Sequence, residues 1–132
     1  MNIPYKRGGR SIEEGLDCWG IVIVFYEREL GIRLPKLESM YYHDDLNHKQ
    51  GASELEAEIE RNSLKEMFME VDESQPGDLL LFRILGHGIH VGIRAEDHDF
   101  LHAQRGKKSR IVNDYIWRNK IEQVYRHPAN LG

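Results

Sequence analysis

The segment at residues 18–30 constrains the fold more than any other, because its pattern predicts a helix buried on every side. Asp17 suits the N-cap position, where its carboxylate accepts backbone N–H groups of the first turn. Gly31 suits the left-handed position just past the last turn, and Pro35 prevents continuation. Residues 21–26 are apolar around the whole helix, which is typical of an element covered by other structure. A strand is the alternative for this β-branched run, and the caps and the length favour the helix.

A polar connection and a second helix follow. Residues 36–52 predict an irregular connection. Ser53 and Glu56 have the spacing of a capping box, so we expect a helix that begins at Ser53 and ends by about Phe68.

After Gln75-Pro76-Gly77 the hydrophobic pattern changes to that of strands. The predicted strands are residues 79–83, 89–94, 100–103, 110–112 and 121–126. Helices followed by antiparallel strands predict an α+β fold, and the short links between the strands are typical of a meander.

Length and cysteine content narrow the class of protein. The chain has 132 residues, which suits a single domain over residues 1–132 with a core that needs no disulfide or metal. The one cysteine, Cys18, excludes an intramolecular disulfide and a zinc site built on paired thiolates. This thiol is therefore an inert buried group, a surface residue or a nucleophile.

The charge is unevenly distributed. Residues 38–73 carry 11 acidic and 3 basic side chains, and the remainder carries 11 acidic and 15 basic, for a net charge of −4. This balance gives no case for nucleic-acid binding. Much of the positive excess lies in Arg105, Lys107, Lys108, Arg110, Arg118, Lys120 and Arg126. These cations form either a solvated face or a surface that meets an anionic ligand.

The sequence lacks the signals of membrane insertion and export. No stretch approaches the roughly 18–20 apolar residues of a membrane helix. The basic residues near the N-terminus are followed by Glu13 and Glu14 rather than by an apolar segment, so we expect no signal peptide.

Cys18 occupies a position that favours a reactive thiolate. Backbone N–H groups and the positive end of the helix dipole converge there, which lowers a thiol pKa from about 8.5 towards 7 or below when an imidazolium is near. The same N–H groups can donate to an oxyanion. Gly20, one turn in, removes a side chain and lets a partner strand or a substrate approach closely. Taken alone, the position also fits inert packing.

Two histidines strengthen the nucleophile hypothesis. Alternation along residues 89–94 turns His90 away from Val91, and His102 lies in the next predicted strand. Two histidines on one face of adjacent strands can hydrogen-bond, which leaves one ring nitrogen of His90 for the sulfur. The alternative is a pair of half-buried histidines with structural hydrogen bonds.

Five motifs occur in register along the chain. They are YKRGGRS at residues 5–11, GLDCWG at 15–20, PGDLLLF at 76–82, HVGI at 90–93 and LHA at 101–103. In order and spacing the chain resembles the NlpC-type cell-wall cysteine peptidase family, and most resembles its small phage tail-assembly and tail-tip members. Those members share Trp after the cysteine and an ending like VYRH at residues 124–127.

The resemblance implies a papain-like α+β fold and hydrolysis of peptidoglycan stem peptides, typically between D-glutamate and diaminopimelate, without a cofactor. It implies that Cys18 is the nucleophile, His90 the general base and His102 the residue that orients His90. Tyr5 matches a tyrosine that helps hold the oxyanion or the substrate. Asp17 matches a position that can contact the substrate amine, and capping is the role we favour.

Trp19 departs from the commonest family pattern, which has Ser there. A bulky side chain at this position changes the expected wall of the substrate pocket. With no signal peptide, a phage member would be made in the host cytoplasm and reach the wall in the virion, with other tail proteins as partners and no insertion into a membrane.

Three alternatives stay open. Zinc binding by His87, His90, His98 and His102, with Asp97 and Asp99, has poor geometry, because His87 and His90 point to opposite faces of a strand. A structural tail module could keep the fold without activity. Acyl transfer or amidase chemistry could use the same nucleophile on another amide. Trp117 is expected to pack at the edge of the sheet or, beside basic residues, to touch substrate.

Overall fold

Helix α1 spans Cys18–Leu30, and local chemistry sets both of its ends. The computed structural model describes residues 2–6, 9–35, 54–84, 88–103 and 107–130, and only the backbone of residues 10, 54–60, 84, 88 and 89. The Asp17 carboxylate accepts the Gly20 N–H at 2.8 Å. Gly31 adopts φ 67° and donates its N–H to Glu27. The predicted caps and helix bounds are therefore confirmed.

Helix α1 is buried along most of its length. Among the apolar residues 21–26, Phe25 is partly buried and the other five are buried: Ile21, Val22, Ile23, Val24 and Tyr26. The expectation of a central covered helix is confirmed. Helix α2 spans Glu54–Met67. The predicted start, Ser53, and the connection at residues 36–52 lie outside the described residues.

Six strands form one antiparallel sheet that covers α1, in the order β3-β8-β4-β5-β6-β7. They are β3 (Met69–Val71), β4 (Leu79–Ile84), β5 (Gly88–Arg94), β6 (Asp99–His102), β7 (Arg110–Asn113) and β8 (Ile121–Arg126). Strands β4 to β7 form the expected meander. The α+β fold, with α1 packed on an antiparallel sheet, is confirmed.

The last strand corrects the prediction of one continuous meander. Strand β8 does not follow β7 at the edge; it pairs with β4 on one side and with β3 on the other. A short 3₁₀ turn at Arg118–Lys120 precedes β8. Strand β3 was not predicted, because three largely exposed residues show no hydrophobic alternation. A two-stranded hairpin, β1 (Arg10–Ser11) and β2 (Gly15–Leu16), was also missed.

The two faces of the sheet form two apolar clusters. On the first face Leu79, Leu81, Val91, Ile93 and Leu101 pack with the buried residues of α1, including Cys18. On the second face Leu80, Phe82, Phe100 and Val124 pack together, with the half-buried ring of Trp117 against them. Successive residues of a strand point to opposite faces, which separates Leu79 from Leu80 and Val91 from His90. Within the described ranges, no helix has the length and apolar character needed to cross a bilayer.

Candidate active site

Cys18 is the first residue of α1 and lies almost entirely out of solvent, with 1% of its surface exposed. The Asp17 cap fixes the first turn around it. The backbone of Gly9 approaches Gly20 so closely that a Cβ there would collide with the Gly9 carbonyl oxygen. The close approach expected at Gly20 is present, but the neighbour is the N-terminal segment at Gly9 rather than a strand or a substrate. These contacts hold the thiol at the positive end of the helix dipole, where a thiolate is stabilised.

His90 and His102 form the expected hydrogen-bonded pair. His90 lies in β5 and His102 in β6, and the distance from His90 Nε2 to His102 Nδ1 is 2.9 Å. The two rings meet edge to face, with centroids 5.1 Å apart. Both residues are buried, at 3% and 1% exposure. The interaction ties two neighbouring strands together through their side chains and restricts the plane of the His90 ring.

His102 is held in its neutral form. Burial is the largest cause that lowers its pKa to about 2, and the charges of His90, Arg110 and Lys107 lower it further. A neutral imidazole has one acceptor nitrogen and one donor nitrogen. Nδ1 of His102 can therefore accept the Nε2 proton of His90. Nδ1 is then the ring nitrogen of His90 that His102 does not engage.

Helix α1 and the histidine pair meet at strand β5. Helix α1 packs against β5, and Cys18 shares a cluster with Val91, the residue that follows His90. The structure thus packs helix α1 against the strand that carries His90, and places His90 against His102.

Trp117 covers the histidine pair. Its ring stacks on His90 with centroids 5.7 Å apart and an interplanar angle of 30°, and meets His102 edge on at 5.3 Å. The Trp117 backbone N–H donates to the backbone carbonyl of Asp114, and the Asp114 carboxylate accepts from Arg94 at 3.0 Å. The expected packing role is confirmed, and the ring packs on the two histidines as well as on Phe82 and Phe100 of the sheet.

The turn that carries Trp117 rests on a buried ion pair. Arg94 and Asp114 are 6% and 1% exposed, and Arg118 adds two further hydrogen bonds to the same carboxylate. Burial by itself would raise the pKa of Asp114, and the hydrogen bonds from Arg94 and Arg118 outweigh it, so the pKa lies below the ordinary value. Sequence patterning did not identify this pair, since its partners are twenty residues apart.

The three remaining predicted site residues differ in position. Tyr5 is half-buried, bridges to Leu16 and packs against the cluster that contains Cys18. Asp17 is fully buried as the helix cap, which supports the role we favoured for it. Trp19 is also fully buried, and its indole N–H donates to the carbonyl of Pro35 at 2.9 Å. Its position supports packing in the core, and contact with a substrate would require the ring to leave that core.

The histidines and carboxylates give no metal site in the described part of the chain, where no group of three such residues has suitable geometry. His87, one residue of the zinc alternative, lies outside the described residues. His98 is exposed and lies in the turn between β5 and β6.

Comparisons with known proteins show which family the chain resembles in sequence and in fold. The NlpC/P60 family profile matches residues 2–126. The murein DD-endopeptidase MepH of Escherichia coli K12 is 32% identical over 124 residues, which cover 89% of this chain and 39% of that protein. The probable endopeptidase NlpC of the same strain is 30% identical over 128 residues, which cover 93% of this chain and 68% of that protein.

The solved structure of an NlpC/P60 family protein from Bacillus cereus ATCC 10987 superposes with a TM-score of 0.62 at 20% identity. The superposition covers 96% of this chain and 36% of that one, and it shows a shared fold. The chain spans well under half the length of MepH. The family profile covers the helix that begins at Cys18, both histidine strands and nearly all of the sheet, so the chain belongs to the NlpC/P60 family.

Proposed function

We propose that the chain is a cysteine peptidase that hydrolyses an amide bond in peptidoglycan stem peptides, of the D-glutamyl–diaminopimelate type. The observation that carries the proposal is the 2.9 Å hydrogen bond between His90 and His102, on strands packed beside the helix that begins at Cys18. Membership of the NlpC/P60 family supports it, and so does the name of the relative MepH as a murein endopeptidase.

In the proposed reaction the Cys18 thiolate attacks the carbonyl carbon of the amide. The Cys18 backbone N–H and the Tyr5 hydroxyl donate to the oxyanion. The imidazolium of His90 gives its proton to the amide nitrogen as the C–N bond breaks, which releases the amine and leaves a thioester on Cys18. His90 then takes a proton from water, whose oxygen attacks the thioester, releases the carboxylic acid and regenerates the thiolate and imidazolium.

His102 acts as a positioning residue in this scheme. Because burial keeps it neutral, its Nδ1 can accept the His90 proton throughout the physiological range. The acceptor stabilises the imidazolium that the thiolate needs. The general acid–base assistance that His90 then provides contributes about 10²–10⁴-fold to the rate.

The test uses purified muropeptides with wild-type protein, Cys18→Ala and His90→Ala. We expect turnover by the wild type, none by Cys18→Ala, and a loss of about 10²–10⁴-fold for His90→Ala. His98→Ala is the matched control, since it removes an exposed histidine from the same half of the chain. Equal, absent turnover by wild type and Cys18→Ala would overturn the proposal.

The scissile bond is read from the masses of the products. Cleavage after D-glutamate and cleavage of a bond between two D-centres release different fragments from one cross-linked muropeptide. The relative MepH is named a DD-endopeptidase, so this measurement decides whether the chain shares that bond or cuts the D-glutamyl bond that we propose.

A structural module without activity is the second candidate. It is favoured by the burial of Cys18, His90 and His102, which are each at most 3% exposed. A role in a phage tail, with synthesis in the host cytoplasm, is a separate proposal that rests on the sequence resemblance. It predicts that mass spectrometry detects the chain in purified virions, and absence from virions would contradict it.

A further inference from the structure

A small pocket lies beside the N-terminal segment. It has a volume of about 220 Å³ and is lined by Pro4, Tyr5, Lys107 and Lys108. One wall comes from the N-terminal segment, at Pro4 and Tyr5, and the other from Lys107 and Lys108, about a hundred residues later. The residues next to these walls in the chain are joined, because the Ser109 N–H donates to the Ile3 carbonyl at 2.8 Å and the Ile3 N–H donates to the Ser109 hydroxyl at 2.9 Å. Ile3 and Ser109 are both buried.

Each wall of the pocket has a link to one part of the candidate active site. Tyr5 forms a β-bridge with Leu16, which is two residues before Cys18. On the other wall, the charge of Lys107 is one of the causes that lower the pKa of His102. The two walls of the pocket are therefore linked to the segment that precedes Cys18 and to the charge environment of His102.

The described residues of the pocket carry only positive charge. Among them are two lysines and no carboxylate. Among the residues that the structure describes, no acidic side chain forms an ion pair with Lys107 or Lys108, whereas the neighbouring Lys6 pairs with Glu14 at 3.9 Å. Two ammonium groups without a counter-ion beside a phenol favour a small anion as ligand, and a carboxylate is the anion that a peptide supplies.

We infer that the pocket between Tyr5 and the Lys107–Lys108 pair binds a free carboxylate of the stem peptide next to the scissile amide. The inference rests on the proposed function and adds a determinant of specificity to it. A D-glutamate joined through its side chain keeps a free α-carboxylate a few bonds from the scissile carbonyl, and diaminopimelate carries carboxylates on the other side. Wall peptides in which this group is an amide would be poor substrates.

The experiment crosses enzyme variants with amidated substrates. Wild type, Lys107→Gln and Lys108→Gln are assayed on a free stem peptide, one amidated at the D-glutamate α-carboxyl and one amidated on diaminopimelate. We expect one of the amidations, and Lys107→Gln, each to lower kcat/KM by about 10- to 100-fold, the usual range for losing one charged hydrogen bond. Combined, they should lower it little further. The amide that shows this coupling identifies which carboxylate is bound.

Lys65→Gln is the matched control, because it removes one exposed lysine charge from α2, far along the chain from the pocket. An equal effect of Lys107→Gln on free and amidated peptides would overturn the inference, as would a wild type indifferent to both amidations.

A binding measurement separates this inference from the proposed function. Cys18→Ala protein, with and without Lys107→Gln, is titrated with the free and amidated peptides by calorimetry. Tighter binding of the free peptide that is lost in Lys107→Gln supports the pocket even if no turnover is seen. Equal affinity for all three peptides overturns it even if the wild type is an active peptidase.

Discussion

Replacing His102 tests the arrangement of the histidine pair most directly. His102→Asn places an oxygen acceptor near the position of Nδ1, which lies 2.9 Å from His90 Nε2. His102→Leu has nearly the shape of Asn and offers no acceptor. The two variants therefore differ in one feature, the ability to accept the His90 proton.

The magnitude follows from the type of hydrogen bond. In the proposed mechanism the donor is an imidazolium, and hydrogen bonds to charged groups contribute about 1.5–3 kcal/mol. A factor of ten in rate corresponds to about 1.36 kcal/mol. We therefore expect kcat/KM of His102→Leu to fall by about 10- to 150-fold, and that of His102→Asn to stay within a few-fold of wild type.

The assay is hydrolysis of purified muropeptides, with product quantified by chromatography, and with thermal unfolding of both variants to confirm that they fold. A carbon-13 label at Cβ of cysteine gives one signal, because Cys18 is the only cysteine. This signal reports the thiolate directly, and we expect less thiolate near neutral pH in His102→Leu. Equal kcat/KM and equal thiolate content in the two variants would refute the positioning role of His102.

Four further outcomes are expected. Trp117→Ala admits water to the His90–His102 pair and should raise the pKa of His102 above its value of about 2. The acid limb of the pH profile of kcat/KM should then move to higher pH, whereas Trp117→Phe should leave that limb in place. Because folding lowers the pKa of His102 from about 6.5, the unfolded chain binds more protons than the folded chain below that pH. The free energy of unfolding measured in urea melts should therefore fall as the pH drops below about 6.5, by up to about 1.4 kcal/mol per pH unit. His102→Leu should lack this contribution to the slope. Asp114→Ala leaves the buried Arg94 guanidinium uncompensated and should lower the free energy of unfolding by about 3–5 kcal/mol; a loss below about 1 kcal/mol would contradict a buried pair. Asp17→Ala removes the helix cap and should cost about 0.5–2 kcal/mol in the same melts, whereas Asp17→Asn, which keeps an acceptor, should cost less.

The elements that were predicted from sequence are those with local causes. Helix α1 begins and ends where Asp17 and Gly31 satisfy its terminal groups, and both effects act within a few residues. Strand β5 was predicted by its alternation, which also placed His90 on the face opposite Val91. The pairing of His90 with His102 followed, because a short turn joins neighbouring antiparallel strands.

The elements that were missed depend on contacts between distant residues. Strand β8 lies between β3 and β4 because its pairing partners are supplied by segments more than thirty residues earlier. The stacking of Trp117 on His90 joins residues 27 positions apart. The sequence indicated an aromatic ring at the sheet edge, but no local pattern indicates which rings it covers.

The sequence by itself determined the family, the α+β class, the bounds of the capped helix and the strand positions of the histidines, because capping, alternation and motif spacing are encoded over short stretches of chain. The tertiary structure alone decided the burial of Trp19, the position of Trp117 over the histidine pair and the positive pocket between Tyr5 and Lys107. Each of these depends on the packing of segments far apart in the chain, where apolar burial and long-range strand pairing select the neighbours.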